Sequence, residues 1–76
     1  MTSRLTGAAM RSARDLLGLT THETAFRLRI SPTTLAKVEH GGRVLPQTEA
    51  RMIAGLERLG VDIGEDGLAR LRSSPR

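Results

Sequence analysis

The stretch Thr20 to Gly41, TTHETAFRLRISPTTLAKVEHG, decides how this chain of 76 residues folds. At its centre stand Ser31 and Pro32. A serine hydroxyl can satisfy the orphan amides of a helix start, and proline suits the first helical position, where an N–H has no partner anyway. The spacing therefore predicts a helix opening at Pro32, with Leu35 and Val38 three apart on its apolar face and the polar side left free. Upstream, Ala25 and Leu28 share one face at helical spacing, with Thr20 or Thr21 as the cap. Two short amphipathic helices thus meet across Arg29-Ile30, at a steep angle that turns the second one outward.

On these residues the chain resembles the Cro/repressor-type helix-turn-helix family, also called the XRE family. The match runs from Gly18 to Gly41 and keeps the cap at Thr20, the small Ala25, then Leu28, Ile30, Ser31, Thr34, Leu35, Val38, Glu39 and Gly41. A looser likeness extends from Leu5 to about Val61. Cap, small residue, turn and acidic residue all fall at fixed offsets, which makes the motif far more specific than any one of them. The resemblance implies a small DNA-binding domain whose second motif helix enters the major groove.

Three positions depart from the family pattern. Thr24 stands where an apolar residue is usual, so its hydroxyl must bond a backbone carbonyl such as that of Thr20 if it is buried. Arg29 stands where the turn often has glycine, and a non-glycine residue at positive φ costs about 1 kcal/mol, so either the turn differs or the strain is tolerated. Phe26, the one aromatic residue of the chain, occupies a position that is usually polar. It is expected either to pack sideways or to touch a partner.

A domain of this length buries only about 60% of the surface its unfolded chain exposes, so its stability is marginal without support. There is no cysteine to form a disulfide or a Cys-rich zinc framework, which leaves dimerisation as the obvious support. No apolar run approaches the roughly 20 residues that cross a bilayer, and the N-terminus lacks a signal-peptide core. A cytoplasmic location is expected, and the length leaves no room for a separate small-molecule sensor. Residues 1–45 carry seven bases against three acids, while residues 46–76 balance at five against five. The excess positive charge thus sits on the half that holds the motif, as phosphate binding requires, although +4 is also ordinary for a solvated surface.

The remaining segments frame the motif. A first helix is expected from the cap Thr6 to Leu17, with Ala9, Ala13, Leu16 and Leu17 on its apolar stripe and Gly18 as terminator. After a loop at Arg43-Val44-Leu45, Pro46 or Gln47 leads into a fourth helix ending at Gly60, with Met52, Ile53, Leu56 and Leu59 on its buried face. Beyond it, Val61-Asp62-Ile63 and Leu68 to Arg72 alternate around a Gly-rich turn and read as a β-hairpin. Its competitor is a fifth helix from Asp66, favoured by Ala69 and Arg70. The fold class expected is all-α: a four-helix, or five-helix, bundle carrying the helix-turn-helix, with a short C-terminal hairpin. Residues 1–60 form the DNA-binding domain and residues 61–76 the tail. Since an isolated hairpin is unstable in water, the tail should pack on the domain or pair with a second copy, making it the expected dimerisation element. On this view cutting after Gly60 leaves the four helices standing, and Val61, Ile63, Leu68 and Leu71 wait for a second subunit. The last residues, Ser73 to Arg76, are expected to fray.

Nothing supports catalysis. His22 and His40 have no second ligand at metal spacing, and the serines lack a His-acid arrangement or a nucleophile elbow. Gly41-Gly42 is a helix terminator, since no strand precedes it and no Gly-Lys-Ser/Thr follows. One aromatic residue is too few for stacking single-stranded bases, so duplex DNA is the better partner. No cofactor, metal or small-molecule substrate is expected.

The family resemblance implies roles for particular residues. Outward positions at the start of the second motif helix, Pro32, Thr33 and Lys37, read base edges: Lys37 can donate to guanine O6/N7, the Thr33 methyl or hydroxyl suits several bases, and Pro32 offers apolar contact. Thr20 and Thr21 lie at a helix N-terminus whose amides and dipole welcome a phosphate. Thr34, His40 and Arg43 lie near the opposite phosphate run, and Arg29 is a less directed contact. Plainer readings exist: Thr20 and Thr33 as capping residues, Lys37 as a solvated helix residue. Arg14 and Glu39 match an ion pair that ties the first helix to the end of the recognition helix, so Arg14 is not counted as a DNA contact. The function expected is a regulator that binds an inverted-repeat operator as a homodimer, most often as a repressor. The rivals are a protein-interaction module, such as an antitoxin or accessory subunit, and an RNA-binding or nucleoid-type module without sequence preference.

Overall fold

A computed structural model describes residues 4–72, and the expectation for Ser73 to Arg76 lies outside them. In chain order the elements are α1 (Gly7–Leu17), α2 (Thr21–Leu28), α3 (Pro32–Glu39), α4 (Pro46–Leu59), β1 (Val61–Ile63) and β2 (Ala69–Leu71). Each helix start follows from local chemistry. The Thr6 hydroxyl accepts from the Ala9 amide, Thr20 from Glu23, and Ser31 from Thr34. α4 instead opens on Pro46 behind Leu45, with no side-chain cap.

The ends are equally local. Gly18 and Gly60 terminate α1 and α4 in the left-handed conformation, as the sequence predicts. Arg29 does the same for α2 at φ 61°, ψ 45°, and it is the sole non-glycine residue at positive φ among the described residues. The Arg29 amide donates to Phe26 and the Ile30 amide to Ala25, a paired closure that glycine normally provides. The family turn is therefore kept with the strained residue in it.

One core joins the four helices and β1, with Ala69 of β2 packed against it. It contains Leu5, Ala9, Met10 and Ala13, then Ala25 and Leu28, Leu35 and Val38, Met52, Ile53 and Leu56, and finally Val61 and Ile63. α4 comes close to α2 because Gly55 carries no side chain: a Cβ there would stand 2.7 Å from Leu28 Cδ2. Leu16 is a correction to the expected α1 stripe. It is 40% exposed, and Met10, not anticipated, is fully buried. The actual face is therefore Ala9, Met10 and Ala13, with Leu17 packed at its margin.

Thr24 is fully buried without being an orphan. Its hydroxyl donates to the Thr20 carbonyl at 2.8 Å, the back-bond that its position in the sequence requires.

The tail is an antiparallel hairpin and not a fifth helix, with Val61 opposite Leu71, Asp62 opposite Arg70 and Ile63 opposite Ala69. Gly67 sits at φ 79° in the turn, and the Asp66 carboxylate accepts from the Leu68 amide, both of which oppose a helix opening at Asp66. Its inner face contradicts one expectation. Val61 and Ile63 are spent in the chain's own core, so of the four tail side chains expected to wait for a second subunit only Leu68 and Leu71 are exposed, each at 57%. The reason is that β1 follows α4 directly through Gly60 and alternation turns both β-branched residues onto α4 and α1.

Candidate nucleic-acid interface

α3 is polarised by its own periodicity. Leu35, Val38 and Glu39 face the core, whereas Thr33, Lys37 and His40, spaced i, i+4, i+7, are exposed along the opposite side. Pro32 is exposed at its first turn, and Thr34 is half-buried. A helix that shows solvent only small, polar and basic side chains can lie close against another surface. The first turn is stiffened by a double contact, since the Ser31 hydroxyl accepts from the Thr34 amide at 3.1 Å and shares a hydrogen bond with the Thr34 hydroxyl at 3.0 Å.

Its far end is clamped to α1. Arg14 Nε donates to Glu39 Oε2 at 2.9 Å, and Arg14 Nη2 reaches Oε1 at 3.4 Å. That hydrogen bond raises the Arg14 pKa above its ordinary value, partly opposed by desolvation. Arg11 donates to the Glu39 backbone carbonyl, a contact not anticipated from sequence. The signal for it was present, because Arg11 lies three residues before Arg14 on the same helix face. Gly7 completes the junction. A Cβ at that position would stand 2.7 Å from the Glu39 carbonyl oxygen, so α1 can begin against the end of α3 only with glycine there. Arg14 is half-buried in this clamp and Arg11, although exposed, spends a donor on the Glu39 carbonyl; the other bases of residues 4–45, Arg4, Arg27, Arg29, Lys37 and Arg43, are exposed.

The α2 N-terminus is less open to an anion than its helix dipole alone implies. Thr20 and Glu23 form a complete capping box: the Thr20 amide donates to Glu23 Oε1 at 2.8 Å, and the Glu23 amide to the Thr20 hydroxyl at 3.1 Å. Hydrogen bonding from the Thr20 backbone, then from its hydroxyl, lowers the Glu23 pKa, so a negative charge is held at that end. The amides of Thr21 and His22 have no intrahelical acceptor by geometry and are the ones left to meet a phosphate.

The other sequence-chosen residues lie where α3 ends and the following loop begins. His40 Nδ1 lies 2.7 Å from the Ala36 carbonyl, so that nitrogen must be the donor and Nε2 is the atom turned elsewhere. Arg43 is exposed and lines an open groove of about 470 Å³ between Leu5–Gly7 and Gly41–Val44. Arg29 is exposed at the turn between α2 and α3. Bases of the tail are placed differently. Arg72 pairs with Asp62 at 2.7 Å and Arg70 with Asp66 at 2.8 Å, so both bases of the described tail are engaged within it, and the exposed Glu65 of the turn leaves the hairpin slightly acidic.

A protein-family model described as helix-turn-helix matches residues 10–65, most of the chain and all of α2 and α3. The chain belongs to the XRE-type helix-turn-helix family. This helix-turn-helix protein is accordingly a DNA-binding transcription regulator. No curated protein sequence matches the chain. Among the described residues no helix is long and apolar enough to cross a membrane, and no group of three potential metal ligands occurs.

Proposed function

We propose that this helix-turn-helix protein is a repressor that binds an inverted-repeat operator as a homodimer. The observation that carries the reading is the exposed Thr33, Lys37, His40 stripe on a helix whose opposite face and C-terminal end are fixed to the core and to α1. A rigidly held helix presents the same donors to every base pair it meets, which is the condition for reading sequence and not only charge. In this reading Pro32, Thr33 and Lys37 contact base edges. Thr20, Thr21, Thr34, His40, Arg43 and Arg29 contact phosphates, with Thr21 favoured over Thr20, whose amide is already taken by Glu23.

The hairpin supplies the subunit contact in this proposal. Its inner side belongs to the core, but Leu68 and Leu71 are exposed beside two ion pairs whose charges cancel, which leaves Glu65 of the turn as the remaining charge of the hairpin. Two recognition helices related by a dyad would enter successive major grooves about 34 Å apart. Selection of bound duplexes from a random library tests the whole reading: it should return an inverted repeat bound by two chains, and a single half-site bound as well by one chain would refute the dimer.

One observation favours a second reading, that of a protein-interaction module. Phe26, at a position the family usually keeps polar, is 81% exposed on α2. Equal affinity for selected and random duplexes would move the weight to that reading or to a module without sequence preference.

A further inference from the structure

α3 is followed by two glycines that are glycine for different reasons. Gly41 has φ 88°, with open space where a Cβ would stand. Gly42 has no left-handed φ; a Cβ on it would meet Lys37 Cγ at 2.6 Å, the Lys37 carbonyl oxygen at 2.9 Å and Lys37 Cε at 3.4 Å. The Lys37 stem therefore runs along the bare side of Gly42 from Cγ to Cε. Its carbonyl also accepts from the Gly42 amide at 2.7 Å, which holds the loop against the helix at that point.

A lysine stem free in water samples many rotamers, and fixing it at the moment of binding costs conformational entropy. A stem already seated presents its ammonium in one direction. We infer that Gly42 is a positioning residue for sequence recognition: its missing side chain is the seat of the Lys37 stem and aims the ammonium at one base pair. The inference rests on the proposal that Lys37 reads a base edge. A Cβ at position 42 strikes Cγ, near the root of the side chain, so movement of the far end cannot relieve the clash. The stem changes rotamer or the loop draws back from the helix, as the Lys37 carbonyl oxygen at 2.9 Å also requires, and in either case the ammonium loses its seat.

The experiment uses the full chain with Gly42→Ala, Lys37→Ala and both together. Binding is measured to the selected operator and to its single-base-pair variants, and thermal unfolding is followed without DNA. Lys37→Ala should flatten the preference at one base pair, by roughly five- to a hundredfold for a good base contact. Gly42→Ala should flatten the same position by a similar factor and leave the others unchanged, and in the Lys37→Ala background it should add nothing. In the melts Gly42→Ala should lower the midpoint less in the Lys37→Ala background, because Cγ is gone and only the approach to the Lys37 carbonyl oxygen, common to both backgrounds, remains. If Gly42→Ala alone fails to fold and Lys37→Ala restores folding, the seat is supported. The inference is overturned if Gly42→Ala keeps the full preference, or if its midpoint loss, or its failure to fold, is the same in both backgrounds. If Lys37→Ala leaves every base preference intact, the base-reading proposal fails and the recognition role of Gly42 falls with it, while the melts still report whether the stem is seated.

Discussion

Ending the chain at Gly60 removes a hairpin that looks like an appendage, yet the structure assigns that cut a large effect on stability. Val61 is fully buried and Ile63 is 3% exposed, both inside the core shared with α1 and α4. Full burial of such a side chain stabilises by about 1.5–3 kcal/mol, so the two together contribute about 3–6 kcal/mol. A domain of this size is stable by only about 4–11 kcal/mol in total, at about 0.05–0.15 kcal/mol per residue. The shortened chain should therefore melt at least about 12 °C lower, or lose its cooperative transition, when thermal unfolding is followed by circular dichroism. Leu68→Ser and Leu71→Ser are the contrasting perturbations, since both side chains are exposed and each change should leave stability within about 0.5 kcal/mol. Those variants can report on subunit association by sedimentation, which the truncation cannot. If the chain ending at Gly60 unfolds within a few degrees of the full chain, Val61 and Ile63 do not support the core and the reasoning is wrong.

Other consequences can be checked separately. Arg43→Ala should weaken binding to operator and random duplex by the same factor and reduce the salt dependence, as a phosphate contact does; a loss confined to the operator would make Arg43 a base reader instead. Arg29→Gly should raise stability by about 0.5–1 kcal/mol, because it relieves the left-handed residue at φ 61°, and should weaken DNA binding at low salt if that guanidinium meets a phosphate. A lower melting temperature for that variant would show that the Arg29 side chain supports the turn. The Glu23, Asp62 and Asp66 carboxyls are all held below their ordinary values, by the Thr20 backbone, by Arg72 and by Arg70 respectively. Because the folded state binds their protons more weakly than the unfolded chain, their contribution is present above the unfolded carboxylate range, about pH 4, and is lost as pH falls through the folded values. Melting temperatures taken from about pH 6 down to about pH 2.5 should fall, and Asp62→Asn should make that fall shallower; an unchanged slope would remove the Arg72 pair from the account.

What the sequence by itself determined is whatever depends on neighbours in the chain. Thr6, Thr20 and Ser31 start their helices and Gly18 and Gly60 end theirs, because capping needs only a hydroxyl or a bare Cα within three or four residues. The same locality made the exposed stripe of α3 legible in advance, whereas the Thr24 back-bond, conditional on burial, and the Arg29 turn, left open between a different turn and tolerated strain, were raised only as departures from the family pattern. Even the Arg14–Glu39 pair could be placed in advance, though only through the family resemblance and not through spacing. The tertiary structure decided everything that depends on which surfaces meet. Periodicity could not choose between Met10 and Leu16 on α1, because both border the apolar stripe and only the approach of the other elements separates them. It could not tell that Val61 and Ile63 belong to the chain's own core, since alternation says that a strand has an inner face without saying what covers it. Nor could it explain Gly7, Gly42 and Gly55. A glycine demanded by a close approach has no local signature, because the atoms it makes room for are brought there by the packing of other segments or by the path of the chain around it.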